Sequence, residues 1–146
     1  MEWTEYFLGI AEQVKLKSKD QSTQIGAVIV GAGNEVLSTG YNSFPRGLDD
    51  SLQERQERPE KYFWFEHAER NAIYNAARVG TPLKGSSIYL TSGLPCMDCA
   101  RGIVNSGIET VYCKEICTTK NKEKWEESQR KSLHLLYECG VKVVFY

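Results

Sequence analysis

Ala27-Val28-Ile29-Val30-Gly31-Ala32-Gly33-Asn34, running on into Val36 to Tyr41, reads as two strands joined by a tight turn. Ala27 to Val30 is a short apolar run, partly β-branched and bounded by glycine, as a buried strand should be. Gly31-Ala32-Gly33-Asn34 then turns the chain into a second strand, Val36 to Tyr41. The Gly-x-Gly inside that turn resembles a phosphate loop only superficially. A strand and not a helix follows it, so the hairpin reading stands.

Outward from the hairpin the pattern changes period. Trp3, Tyr6, Phe7, Ile10, Ala11 and Val14 recur at helical spacing, giving a first amphipathic helix of about four turns. After the hairpin, Phe44 to Phe65 is a long connection rich in Arg, Glu and Pro, ending in Tyr62-Phe63-Trp64-Phe65. Long connections in compact domains tend to be functional, and a lid or subunit contact is the expectation here. A helix follows from Glu66 to Val79, stopped by Gly80. Then come a strand (Ser87 to Thr91), a helix (Cys96 to Ser106, ended by Gly107) and a strand (Glu109 to Cys113). A helix from Lys122 to Glu138, closed by Gly140, and a strand from Val141 to Tyr146 complete the chain. The order α-β-β-α-β-α-β-α-β predicts one α/β domain over residues 1–146. It is a three-layer α/β/α sandwich whose mixed central sheet has five strands, opened by an antiparallel hairpin.

Composition narrows the function classes. The 146 residues suit a single domain with its own core. Lys and Arg number 18 against 19 Asp and Glu, so no strong field attracts a polyanion, and no nucleic-acid partner is expected. A small phosphate ester needs only a few cations and backbone amides. Apolar stretches are too short to cross a bilayer, and Met1-Glu2-Trp3-Thr4-Glu5 lacks the basic start of a signal peptide. The expectation is a cytoplasmic protein with no membrane partner. The five cysteines, an odd number, do not suggest a disulfide framework. Cys113, Cys117 and Cys139 read as small thiols without a site role.

Two segments carry chemistry: His67-Ala68-Glu69 and Pro95-Cys96-Met97-Asp98-Cys99. Each stands where the chain enters a helix, and a helix N-terminus favours thiolate over thiol. Cys96 and Cys99 lie about one helical turn apart, so their sulfurs can converge on one ion, with His67 as a third ligand. Structural zinc is usually closed by four protein ligands, whereas catalytic zinc keeps a position for water. The other histidine, His134, lies in the last helix between leucines and supplies no fourth ligand. Two thiolates cancel the charge of the ion, so it acidifies water less than a site of neutral histidines would, and a nearby base gains value. Glu69, two positions past His67, can be that base. An inert zinc staple would have no use for it.

His-x-Glu followed by Pro-Cys-x-x-Cys is a signature of zinc nucleobase deaminases. The chain therefore resembles the cytidine and deoxycytidylate deaminase superfamily. The resemblance extends to Ser18-Lys19-Asp20-Gln21-Ser22-Thr23-Gln24-Ile25-Gly26-Ala27 and to Thr39-Gly40-Tyr41-Asn42-Ser43-Phe44-Pro45-Arg46-Gly47. It also takes in His67-Ala68-Glu69-Arg70-Asn71-Ala72-Ile73 and Ser106-Gly107-Ile108, and runs from Ser18 to Cys113. It implies a cytidine-deaminase-like fold and hydrolysis of deoxycytidine monophosphate to deoxyuridine monophosphate and ammonia, by hydroxide attack at the amine-bearing carbon.

Residue by residue, the resemblance makes His67, Cys96 and Cys99 ligands to one catalytic Zn2+ and Glu69 the proton shuttle. Asn42 would contact the sugar, Thr23 and Gln24 would lie near the phosphate, and the Ala68 amide and Pro95 carbonyl would read the cytosine edge. It further implies a homohexamer, activated by deoxycytidine triphosphate and inhibited by thymidine triphosphate with Mg2+. The effector site would draw on Tyr41, Asn42, Arg46 and Arg78. Asn42 as a turn stabiliser and Arg78 as a solvated helix-end cation are the plainer alternatives.

Two departures stand out. Ser43 replaces a usual glycine, and Ile116-Cys117-Thr118-Thr119-Lys120 occupies the stretch where many relatives hold substrate with a tyrosine. Phe44 to Glu66 contains neither Cys nor His, so the second, structural zinc of some relatives is not expected. The rival readings are a transfer-RNA adenosine deaminase, a nucleoside cytidine deaminase and, from another class, a non-catalytic sensor of pyrimidine nucleotides.

Overall fold

In a computed structural model of the chain, residues 1–115 and 122–146 are described, side chains excepted at 122–126. The departure at Ile116 to Lys120, Cys117 included, falls outside the described residues.

The hairpin forms as its sequence dictates. Strand β1 (Gly26–Val30) is buried at every position, and β2 (Val36–Tyr41) alternates, with Ser38 and Gly40 inward. Asn34 takes the turn's left-handed position at φ 65°, a conformation that asparagine tolerates better than most residues. Helix α1 (Trp3–Lys15) buries Phe7 and Ala11, one turn apart. The long connection holds more structure than its sequence suggests: a 3-10 turn (Gln53–Gln56) and a short helix α2 (Lys61–Trp64). Then follow α3 (Ala68–Val79), β3 (Ser87–Leu90), α4 (Met97–Ser106), β4 (Thr110–Cys113), α5 (Lys122–Glu138) and β5 (Lys142–Phe145).

Two helices begin later than their periodicity predicts. Glu66 and Cys96 were the expected starts, but His67 and Cys96 are extended N-cap residues, at ψ 152° and 170°. The ends of α3 and α4 are as expected: Gly80 and Gly107 take left-handed conformations at φ 77° and 90°. β1 starts one residue before Ala27, while the last three strands are trimmed to Leu90, Thr110 and Lys142–Phe145.

The strands are ordered β2-β1-β3-β4-β5. β1 pairs antiparallel with β2 and with β3, and β3, β4 and β5 are parallel, so the sheet is mixed. Two glycines seat a helix on each face. A methyl group at Gly26 would overlap the backbone oxygen of Ala11 in α1, and one at Gly40 would fall 2.5 Å from the Ala68 oxygen in α3. Phe7 and Ala11 pack on Val28, Val30 and Tyr89 on one face. On the other, Ala68, Ala72, Ala100, Ile103 and Leu136 cover Ala27, Ile29, Ile88, Leu90 and Val111. These are the three layers. Both faces being covered, β1 has no polar alternation.

Helix α3 also caps an edge strand. Asn71 and Asn75, one turn apart, donate from Nδ2 to the carbonyls of Tyr41 and Thr39, each at 2.8 Å. Those carbonyls would otherwise stay open at the sheet edge. α4 leaves the carboxyl end of β3, where α/β sheets form their ligand crevices. Among the described residues no helix is long and apolar enough to cross a membrane.

Candidate active site

The N-termini of α3 and α4 bring three potential ligands together. The Cys96 and Cys99 sulfurs lie 3.5 and 3.4 Å from His67 Nδ1, and the three ligand atoms all fall within 4.8 Å of one another. The Cys99 amide donates to the Cys96 sulfur at 3.4 Å, so the N-cap side chain of α4 is itself held by its helix. Cys99 is buried, Cys96 half-buried, and His67 is open to solvent on one side. Glu69, in the first turn of α3, is 5% exposed.

The charges show what the cluster lacks. Cys96 is held down at about 4, first because Cys99 hydrogen-bonds to it and then through His67. Cys99 is pushed far above the usual thiol range by the sulfur of Cys96 and by burial. So close a pair ionises once, and a cation is needed for both to be thiolates. Burial pushes the Glu69 carboxyl up, against the pull of its own amide and of His67. The geometry fits zinc. Tetrahedral coordination at ordinary Zn–S and Zn–N lengths sets sulfur and nitrogen about 3.5 Å apart, as found here.

The profile of the cytidine and deoxycytidylate deaminase zinc-binding region matches residues 1–115. This chain belongs to that family. It is 40% identical over 143 residues to an uncharacterized deaminase of Aliivibrio fischeri, covering 98% of this chain and 92% of that protein. Against the deoxycytidylate deaminase of Homo sapiens it is 38% identical over 116 residues. That match covers 76% of this chain but only 64% of the human protein's length. The phage T4 deoxycytidylate deaminase is 32% identical over 163 residues, with 84% and 82% covered. The fold matches that of the cyanophage S-TIM5 dCMP deaminase, solved with dCMP and dUMP, at a TM-score of 0.75 and 24% identity. That alignment covers 97% of this chain and 95% of the other. The family's zinc region and the His67-Cys96-Cys99 cluster agree on Zn2+ as the metal.

Other positions singled out in this deaminase sequence lie further out. Asn42 is 6% exposed and its amide is engaged internally. Its Oδ1 accepts from the Ile25 amide at 2.8 Å, and its Nδ2 donates to Asp20 and to the Thr23 carbonyl. Thr23 and Gln24 therefore belong to a segment that Asn42 braces, with Gln24 Nε2 donating to the Ser18 carbonyl at 2.9 Å. Ala68 is the first residue of α3. The Pro95 carbonyl accepts from Ser132 Oγ. Tyr41 ends β2, Arg46 donates to Asn75 Oδ1 at 2.8 Å, and Arg78 lies exposed in the last turn of α3. Ser43 keeps a negative φ and exchanges backbone hydrogen bonds with Glu66, so the loss of a glycine there brings no strain. His134 is exposed and faces Glu138 at 3.5 Å. Cys113 is buried, its thiol pushed up to about 12 by that burial, and Cys139 is exposed.

Three features escaped the sequence reading. Arg70 bridges the two helix starts, pairing with Glu66 at 2.6 Å and Asp98 at 3.5 Å. Burial opposes its charge, but the Cys99 and Cys96 sulfurs and Glu66 outweigh it. Its spacing from Glu66 was a readable signal; its nearness to the sulfurs was not. Lys61 and Asp20 form a buried ion pair at 2.8 Å that pins α2 to the 18–25 segment. Ser132 reaches Pro95 across 37 residues.

Proposed function

We propose that this chain hydrolyses deoxycytidine monophosphate to deoxyuridine monophosphate and ammonia, with His67, Cys96 and Cys99 holding one zinc ion. The observation that carries the reading is a three-ligand cluster with a buried carboxyl, Glu69, beside it. Three ligands leave the position that catalysis needs. A bound zinc ion supplies Lewis acidity toward one water molecule there. Glu69 would take one proton from the attacking water and give it to the ring nitrogen, then carry the proton of the new hydroxyl group to the departing amine. The oxygen stays on the ring carbon and the nitrogen leaves as ammonia. A carboxyl raised by burial suits such a shuttle, because its carboxylate is a stronger proton acceptor than an ordinary one.

Main-chain groups read the base. The Ala68 amide, left without an intrahelical acceptor as every first-turn amide is, donates to the cytosine oxygen. The Pro95 carbonyl, with one lone pair given to Ser132, keeps the other for the ring amine. Asn42 then acts on the sugar and phosphate mainly by bracing Thr23 and Gln24, since its own amide is engaged.

Regulation by deoxycytidine triphosphate as activator and thymidine triphosphate as inhibitor, with Mg2+, belongs to the same reading. Tyr41, Asn42, Arg46 and Arg78 would form that site. Arg46 lies against Asn75, and Asn75 and Arg78 share a face of α3. The helix that starts at His67 thus carries both ends of the coupling. A homohexamer is the assembly proposed. The adjacent exposed aromatics Tyr62 (66%) and Phe63 (77%) on α2 support an interface, since aromatic residues are enriched in protein–protein contacts.

The test is ammonia release from deoxycytidine monophosphate by zinc-loaded protein, with and without deoxycytidine triphosphate and Mg2+. Turnover that rises with the triphosphate supports substrate and regulation together. Zinc-loaded protein that leaves the monophosphate intact but acts on deoxycytidine or on transfer RNA would replace this reading.

A further inference from the structure

We propose that Ser132 is a positioning residue for the metal site, fixing the peptide between Pro95 and Cys96 so that the Cys96 sulfur faces His67 and Cys99. The inference rests on reading those three residues as zinc ligands. Ser132 stands inside α5, beyond residues 1–115 that match the zinc-binding region, and has no exposed surface. A serine within a helix usually has a carbonyl of its own preceding turn as partner. Ser132 instead donates from Oγ to the Pro95 carbonyl at 2.6 Å, joining α5 to the residue before a ligand.

The consequence is local and geometric. The proline ring fixes one backbone torsion of Pro95, and the Ser132 hydrogen bond fixes the direction of its carbonyl, hence the other. The peptide plane leading into Cys96 is then set, and with it the direction of the Cys96 Cα–Cβ bond. From the far side Cys96 is held by α4. Its carbonyl accepts from the Ala100 amide at 2.8 Å and its sulfur from the Cys99 amide at 3.4 Å. Cys99 lies in the helix proper and gains its direction from regular geometry. Cys96, like His67 an extended N-cap residue, does not, so it gains from an outside brace.

Zinc affinity, measured on the full chain by competition with a chromophoric chelator, tests this. Ser132→Ala is expected to bind zinc about 10- to 100-fold more weakly than the unaltered chain, the usual effect of losing a group that orients a ligand. Ser86→Ala is the matched control. Ser86 is equally buried and donates to the Leu83 carbonyl, but it precedes β3, at the opposite end of that strand from Cys96. It is expected to keep wild-type affinity. The isosteric pair Ser132→Thr and Ser132→Val repeats the comparison at constant shape, with threonine binding the more tightly, should alanine not be tolerated. Unchanged affinity in Ser132→Ala, equal losses in Ser132→Ala and Ser86→Ala, or equal affinities for threonine and valine would overturn the role of Ser132. An unaltered chain that binds no zinc would instead overturn the metal site itself, and this inference with it.

Discussion

A carboxamide buried with three hydrogen bonds is a structural commitment, and Asn42 is such a residue. Replacing it by alanine removes the partner of the half-buried Ile25 amide and of the carbonyl of exposed Thr23. An ordinary hydrogen bond contributes about 0.5–1.5 kcal/mol, so Asn42→Ala is expected to lower stability by that order per bond in chemical denaturation. The Michaelis constant should rise with it, because Thr23 and Gln24 lose their brace. A higher Michaelis constant at unchanged stability would point to direct sugar contact instead. The three proposed zinc ligands differ in kind. As a candidate cluster they were legible from residue type and spacing alone, because few arrangements other than metal binding use a histidine and a Cys-x-x-Cys pair at helix starts. Arg70, which places a cation beside both sulfurs, was not legible, since that proximity exists only once α3 and α4 meet.

Elements are held by close approaches and by polar pins, and these respond to different perturbations. Gly40 lets β2 and α3 come within backbone contact, so Gly40→Ala must push apart the helix that carries His67 and Glu69. Overpacking of this kind costs about 1–3 kcal/mol or more, and a lowered melting temperature together with lost activity is expected. The pin between the long connection and the 18–25 segment is the Lys61–Asp20 pair. Burial raises the Asp20 carboxyl, but hydrogen bonds from Lys61, Ser22 and Thr23 outweigh it and leave it below its ordinary 3.8. Its contribution is therefore complete above 3.8 and is lost as pH falls through the lower folded value. Protection of the amides in the 44–66 connection, taken relative to their intrinsic exchange rates, should fall on acidification through that range, and Asp20→Asn should show the same loosening at neutral pH. A connection equally protected in both would leave the pair without a role. The elements themselves were mostly readable, because hairpin glycines, helical periodicity and glycine stops are local signals. The starts of α3 and α4 were misjudged because His67 and Cys96 cap without a strong capping preference. The Lys61–Asp20 and Ser132–Pro95 contacts join residues 41 and 37 positions apart, and no local pattern announces them.

At the scale of the molecule, a hairpin-led mixed sheet with α1 on one face and α3, α4 and α5 on the other puts two helix N-termini at one point. There the backbone supplies positive potential, the side chains supply three soft or borderline ligands, and a buried carboxyl stands beside them. The rest of the fold keeps that arrangement rigid. The most direct test measures zinc content and deoxyuridine monophosphate formation in the same samples of unaltered protein and Glu69→Ala. Both are expected to hold one zinc per chain, and only the unaltered protein to turn over, the variant falling by on the order of a hundred- to ten-thousand-fold or more. A variant that loses its zinc would make Glu69 a ligand, and one that keeps its turnover would remove it from the reaction; either result contradicts the account.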